Sequence, residues 1–418
     1  MKVWFRALAV LAHVLAMIVR RMTSDRAPMA GEMHVNSAWL TRQLQTAKLV
    51  GSARRVSSAT LNDVEANRGL ASVVHRVRVV LDDGAALDLI LKRSFDSIDG
   101  RKNVIVGCWW REAKFLTSDF ARDDTVAPYT QSVVAASGSA LLGEFAILMR
   151  DVTKAPFECG GLNYLYGNQI WGHNGRKLSD AAILSTLERV WLAAAPMHAK
   201  FFNDRALLDH QWLRGAPWLI GEGRMRWELA LDTTRRGWYA ALPRLAGIGI
   251  EERFIALLTR SIEHSSFDEF QLHIRNAPFT LTHGDFHASN MMISATSLQM
   301  LDWSEVGLCE PSADVGQTIV SDIPSTLYDR IEPALRKYHA VLAAEHDYPW
   351  VQFRADFGNA TISRWVFMFA LLADFPLPPA LMLYFQTNML AFIKLYGDMN
   401  GTYPLRHMVS IMRAGLKA

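Results

Sequence analysis

Cysteine is scarce in this chain, with three in 418 residues. Cys108, Cys159 and Cys309 are far apart and odd in number. That argues against a disulfide framework and fits a reducing cytoplasm. Internal repeats and low-complexity tracts are also missing, which removes solenoids and arrays. No apolar run reaches the roughly 20 residues that a membrane-spanning helix needs. A basic surface is lacking too. The net charge is +3, and residues 1–26 contribute Lys2, Arg6, Arg20, Arg21 and Arg26 against Asp25, which is +4. The remaining 392 residues therefore sum to −1. No basic stripe is implied on the folded body, so nucleic acid is not an expected partner.

The rest of the composition is ordinary for a globular protein, at 50% hydrophobic and 20% charged. The length suits two domains, or one two-lobed unit with a substantial core. The first 33 residues stand apart. Ala7 to Val19 is an apolar run of 13 residues between basic flanks. It has the shape of a signal peptide but lacks a clean small-x-small cleavage site. A start assigned too early, or a peripheral helix, accounts for it as well. Either way, residues 1–33 are expected to be a dispensable extension.

From Arg54 to Arg150 the signals are mostly strand. "VVHRVRVVL" alternates and is β-branched, "DDG" is a turn, and "ALDLILKRS" is a second strand that includes Lys92. "QSVVAA" and "EFAILM" flank another turn, "SGS". Between the pairs, Trp109, Ala113 and Leu116 fall at helical spacing. After Met149 the pattern turns helical. Ser179 is an N-cap for a helix to Phe202 that contains Pro196. Further helices are expected near 251–262, 326–344, 351–373 and 379–396. "WVFMFALLA" is apolar all round and reads as a buried helix. The expected plan is a strand-rich N-terminal lobe over 34–150 and a helical C-terminal lobe over 151–418, with a ligand cleft between them.

One stretch carries the chemistry. "LTHGDFHASNMMIS", Leu281 to Ser294, is followed by "LQMLDW". His283 and His287 sit at i and i+4, a spacing that binds zinc on a helix. Gly284, however, replaces the glutamate of His-Glu-x-x-His and disfavours a helix. Four residues separate Asp285 from Asn290, as in the protein-kinase catalytic loop. Asn290 and Asp302, either side of a short hairpin, can offer hard oxygens to magnesium. Asp285 must stay clear of the ion to accept from an attacking hydroxyl.

"LTHGDFHASNMMI" with "LQMLDWSEVGLCEPSADVG" resembles the aminoglycoside phosphotransferase and choline kinase superfamily, small-molecule kinases with a protein-kinase-like fold. The motif falls on His283, Gly284, Asp285, Asn290, Asp302, Trp303 and Asp314. "LILKRS" and "WWREAKFL" match the strand lysine, Lys92, and the helix glutamate, Glu112. "AAAPMHAKF" matches the helix that ends on His198. The resemblance spans about residues 60–320 in the right order. It implies an α+β, two-lobed kinase fold and an ATP- and magnesium-dependent O-phosphotransferase for a small hydroxyl compound. By the resemblance Asp285 is catalytic, Lys92 holds the phosphates and pairs with Glu112, and Asn290 and Asp302 hold magnesium. Asp314 braces the loop.

Gly69 and Ser72 lie in the expected turn over 62–75, which serves as a phosphate loop or as an ordinary hairpin. Arg150-Asp151 stands where the family often has Glu-Asp at the adenine hinge, which leaves ATP against GTP open. His198 reads as a core histidine, His287 as a loop side chain, and Glu305 as a loop residue able to face substrate. The acceptor is expected to be an antibiotic such as an aminoglycoside, which needs an acidic pocket, or a choline-like metabolite, which needs an aromatic one. Asp322, Asp356 and Asp374 supply the first type, and Trp350, Trp365 and Tyr384 the second. A catalytically inactive nucleotide-binding module is the alternative of another class. Oligomeric state is not legible.

Overall fold

The structure is a computed structural model that describes residues 34–68, 72–95, 97–161, 178–375 and 377–405. The N-terminal extension and Gly69 lie outside them. The described residues form two compact units.

The first unit holds residues up to Thr117 and Gln131–Lys154. Its elements are α1 (Ser37–Thr46), β1 (Val56–Arg68), β2 (Ser72–Leu81), β3 (Ala86–Ser94), α2 (Ile98–Gly107), α3 (Arg111–Leu116), β4 (Val133–Ser139) and β5 (Glu144–Arg150). The strands make one antiparallel sheet in the order β1-β2-β3-β5-β4. Side chains alternate across a strand. On β3, Leu89 and Leu91 therefore share one face and Lys92 takes the other. Leu89 and Leu91 join Val77 and Val79 of β2 in a core closed by Trp39, Leu40 and Leu44 of α1. Truncating a fully buried leucine such as Leu40 to alanine costs about 2–5 kcal/mol in such a core. Asn36 caps α1 by accepting from Trp39 N at 2.9 Å. Sequence patterning does not reveal α1. The expected turn over 62–75 is also mostly strand, since β1 runs on to Arg68 and β2 begins at Ser72. A bulge between Asp63 and Arg68 accommodates the extra residues.

The second unit holds Ser118–Thr130 and Ala155 onward. Its regular elements begin with β6 (Gly160–Gly161), α4 (Asp180–Lys200), α5 (Ala216–Leu219), α6 (Arg224–Gly247), α7 (Glu252–Glu263) and α8 (Phe267–Ile274). They continue with β7 (Thr280–Thr282), β8 (Met291–Ile293), β9 (Leu298–Met300) and β10 (Gly307–Cys309). The last four are α9 (Ser312–Asp322), α10 (Glu332–Ala343), α11 (Trp350–Leu372) and α12 (Pro379–Tyr396). Ser179 caps α4 through Ala182 N, as expected. The helix expected over 326–344 is split. A 3₁₀ segment occupies Ser325–Arg330 and α10 starts at Glu332, with Pro333 in its first turn. Proline suits that place because its missing N–H would be unbonded there anyway. The apolar "WVFMFALLA" stretch is indeed in the interior, with Trp365, Val366 and Phe369 buried. Among the described residues no helix is long and apolar enough to cross a membrane.

Two small sheets set up the site. β7 pairs with β10, and β8 pairs with both β6 and β9. Arg189 of α4 donates to Ser294 O and Ser297 O, and so pins the turn of the β8–β9 hairpin.

Candidate active site

The loop after β7 begins at His283. Its imidazole Nε2 lies 2.9 Å from Leu301 O, and a carbonyl only accepts, so Nε2 carries the proton. Nδ1 then accepts from Asp285 N at 3.3 Å. Burial holds the ring below its ordinary pKa, against the nearby carboxylates. Both nitrogens are committed, so His283 is no metal ligand. Among the described residues no group of three or more His, Cys, Asp and Glu is placed to hold a metal. The zinc reading has no support.

Gly284 turns the chain with φ +84. A Cβ there would lie 2.0 Å from Glu305 O, so the approach requires glycine. Asp285 follows. Its Oδ1 accepts from Gln317 Nε2 at 2.8 Å, and its Oδ2 accepts from Asn290 Nδ2 at 3.1 Å. His287 Nε2 lies 3.3 Å from Oδ2. Burial alone would raise the carboxyl pKa, but His287, Gln317 and Arg364 outweigh it and hold it well below the usual carboxylate range. Asp285 is thus anionic at neutral pH and a weak base. It can orient a hydroxyl better than strip it of a proton.

His287 is more than a loop side chain. Burial lowers its pKa, but Asp285, Asp322 and Asp302 push it up to about 9. The pair is partly exposed, at 26% for His287 and 31% for Asp285, so water screens it. A raised imidazole stabilises the fold below its unfolded pKa of 6.5 and loses that contribution as pH rises through the folded value. The depressed carboxyl contributes above its unfolded value and loses it as pH falls through the folded one. Thermal melts are therefore expected to show a stability advantage of wild type over His287→Gln below pH 6.5 that shrinks as pH rises through about 9. An advantage that is constant across that range would dissolve the ion-pair assignment.

Asn290 donates through Nδ2 to Asp285 O as well, at 2.9 Å. Its amide oxygen has no hydrogen bond among the described residues. Backbone pairing of Leu301 N with Asn290 O at 2.7 Å ties the two ends of the hairpin. Asp302 comes next, in the left-handed region at φ +60, where Asp is among the residues best tolerated. Trp303 packs over His283 with ring centroids 4.5 Å apart.

Helix α9 supports this loop through its backbone. Buried Asp314 accepts from His283 N at 2.7 Å and Gly284 N at 3.0 Å, and its Oδ2 lies 3.3 Å from His198 Nε2. Burial would raise this carboxyl too, yet His198, His283 and Gly284 N keep it low. Gln317 Oε1 accepts from Phe286 N at 2.7 Å and from Arg364 at 2.6 Å, and Arg364 also donates to Gly284 O at 2.6 Å. Asp322 accepts from Ala288 N at 2.9 Å. The bracing of the loop by Asp314 and the core setting of His198 match the sequence reading. Gln317, Arg364 and Asp322 were missed as supports. Gln317 lies one helical turn after Asp314, and that spacing is the only signal for it.

Several candidates have other employment. Asp322 is buried under the loop, and Asp356 accepts from Tyr348 at 2.7 Å. Trp365 is buried against Phe385. Glu305 is buried beside Arg214, with Nε to Oε2 at 3.6 Å, in a core ion pair. Asp151, at the expected hinge, accepts from Arg76 Nε at 2.9 Å.

In the first unit, Lys92 Nζ donates to Glu112 Oε2 at 2.6 Å. The strand lysine and the α3 glutamate are therefore brought together. Ser72 is buried at the start of β2 opposite Ser94.

Residues 167–353 match the phosphotransferase enzyme family. No curated protein matches the chain. Among solved structures, a microcompartment-associated aminopropanol kinase is 17% identical, with 84% of this chain and 95% of that one covered and a TM-score of 0.44. An amicoumacin kinase in complex with AMP-PNP and Ca²⁺ is 14% identical, with coverages of 81% and 90% and a TM-score of 0.43. A choline kinase from Cryptosporidium parvum is 9% identical, with coverages of 81% and 89% and a TM-score of 0.47. The matched segment holds the whole His-Gly-Asp loop, the hairpin and Asp302.

Proposed function

We propose that the chain transfers the terminal phosphoryl group of ATP to a hydroxyl of a small molecule, with magnesium. The observation that carries this reading is Asp285. Its carboxylate is held anionic and oriented by Gln317, Asn290 and His287 on a loop that is itself braced by α9. An oxygen so fixed accepts a hydrogen bond from the acceptor hydroxyl and aligns it for in-line attack. Positioning and electrostatics supply most of the catalysis in phosphoryl transfer.

The donor set fits magnesium. The Asn290 amide oxygen and the Asp302 carboxylate are hard ligands, and magnesium keeps several waters and substrate phosphates besides one or two protein groups. Bound there, the ion supplies charge neutralisation on the phosphates. Lys92, fixed by Glu112, offers a point charge suited to phosphate. Asp302→Asn is expected to weaken magnesium-dependent nucleotide binding, because it removes the one carboxylate assigned to the ion. Asn290→Ala is expected to do so more mildly. Nucleotide titrations with and without magnesium read both effects, and unchanged magnesium dependence in Asp302→Asn would remove that residue from the metal site.

The acceptor class is proposed to be an antibiotic such as an aminoglycoside, or an amino alcohol of the choline type. A phosphoryl-transfer screen over aminoglycosides, macrolides, choline, amino alcohols and sugars tests it. Tight nucleotide binding with no transfer to any acceptor would favour a binding module instead.

A further inference from the structure

A cavity in the helical unit is lined by none of the residues assigned to phosphoryl transfer. Its volume is about 740 Å³, within the range of about 300–1,000 Å³ typical of small-molecule sites. Arg205, Arg275, Phe279 and Tyr348 are among its lining residues. Its wall is well fixed. Asn203, at φ +53, donates from its backbone N to Phe279 O at 2.7 Å and accepts from Phe279 N through Oδ1 at 2.9 Å. Phe202 stacks on His346 at 4.5 Å.

The arginines make the cavity unusual. Every other described arginine of this unit has a hydrogen-bond, ion-pair or electrostatic partner. The side chains of Arg205 and Arg275 are exposed, and neither has such a partner among the described residues. Both line this one cavity, where the only acid is Asp347. Two cations thus face one anion, beside apolar surface from Phe202, Leu208 and Ile274. Guanidinium groups match carboxylate and phosphate oxygens with paired donors, and an apolar wall takes up the body that bears them.

We propose that this cavity binds a small organic anion, a phosphate or carboxylate on an apolar body, at a site separate from the Asp285 loop. The proposal does not depend on the kinase reading. Isothermal titration of the full chain with phenyl phosphate, benzoate and inorganic phosphate tests it, with and without saturating AMP-PNP and magnesium. At least one organic probe is expected to bind in both conditions, more tightly than inorganic phosphate and more weakly as salt is raised. Comparing phenyl phosphate with benzoate identifies the head group. Arg205→Glu and Arg275→Glu are each expected to weaken binding by about tenfold or more, since each reverses a charge that meets the anion. Neither arginine holds another residue, so the variants should melt with wild type, and a melting temperature checks this. Absence of binding up to about 10 mM, a range that covers even weak sites, would overturn the proposal. So would loss of binding when AMP-PNP is present, or equal binding by both charge-reversed variants.

Discussion

Asp285→Asn is expected to leave a folded protein that binds Mg-ATP normally and turns over about 10²- to 10⁴-fold more slowly. The substitution keeps the shape of the side chain and removes the accepting charge. In the wild type, Gln317 and Asn290 each donate to one carboxylate oxygen. An amide offers only one acceptor oxygen, so its NH₂ must face one of those donors, and a modest stability loss follows. Melting temperature, nucleotide affinity and turnover on one preparation separate the possible outcomes. If Asp285 only shaped the turn, the variant would lose about 0.5–2 kcal/mol and its activity would track the folded fraction. A folded variant with normal turnover would end the proposed role of Asp285.

The largest stability effect is expected at Asp314. Asp314→Ala removes the acceptor of two backbone N–H groups, His283 N and Gly284 N, and leaves His198 facing a void. The residue is fully buried, so water cannot replace what is lost. Breaking a buried charge arrangement by deleting one member costs about 3–5 kcal/mol. Urea unfolding is expected to show that loss, with Asp314→Asn in between because it retains one acceptor. Turnover of the folded fraction should also fall, since Gly284 and Asp285 are adjacent. A midpoint within error of wild type would mean that Gln317 and Arg364 hold the loop alone.

The legible parts of the chain were those with a period or a punctuated turn. Strands β2 and β3 alternate and flank Asp-Asp-Gly. The loop from His283 to Asn290 and its hairpin were legible because four residue types stand at fixed spacing. Helix α9 was not recognised as a helix, for a physical reason. All of its residues are buried, so it has no polar stripe to set against an apolar one. Its Asp314, Gln317, Ser321 and Asp322 look like surface residues in sequence, yet they are interior because backbone N–H groups and side chains satisfy them. The same blind spot hides the burial of Asp322 and Glu305. Both acids are tied internally, Asp322 to Ala288 N and Glu305 to Arg214, and nothing in one sequence marks that. The turn over 62–75 was drawn too wide because strand length is poorly encoded where a bulge absorbs extra residues.

Helix α9 reaches the loop by its main chain. Asp314, Gln317 and Asp322 take the amides of residues 283, 284, 286 and 288. The shape of the loop is therefore inherited from a helix some thirty residues downstream. Substitutions at His287 alter what the Asp285 carboxylate touches. Substitutions at Asp314 or Gln317 alter whether there is a loop to do the touching. A lineage that kept the helix could change acceptors repeatedly without losing the place where they are presented.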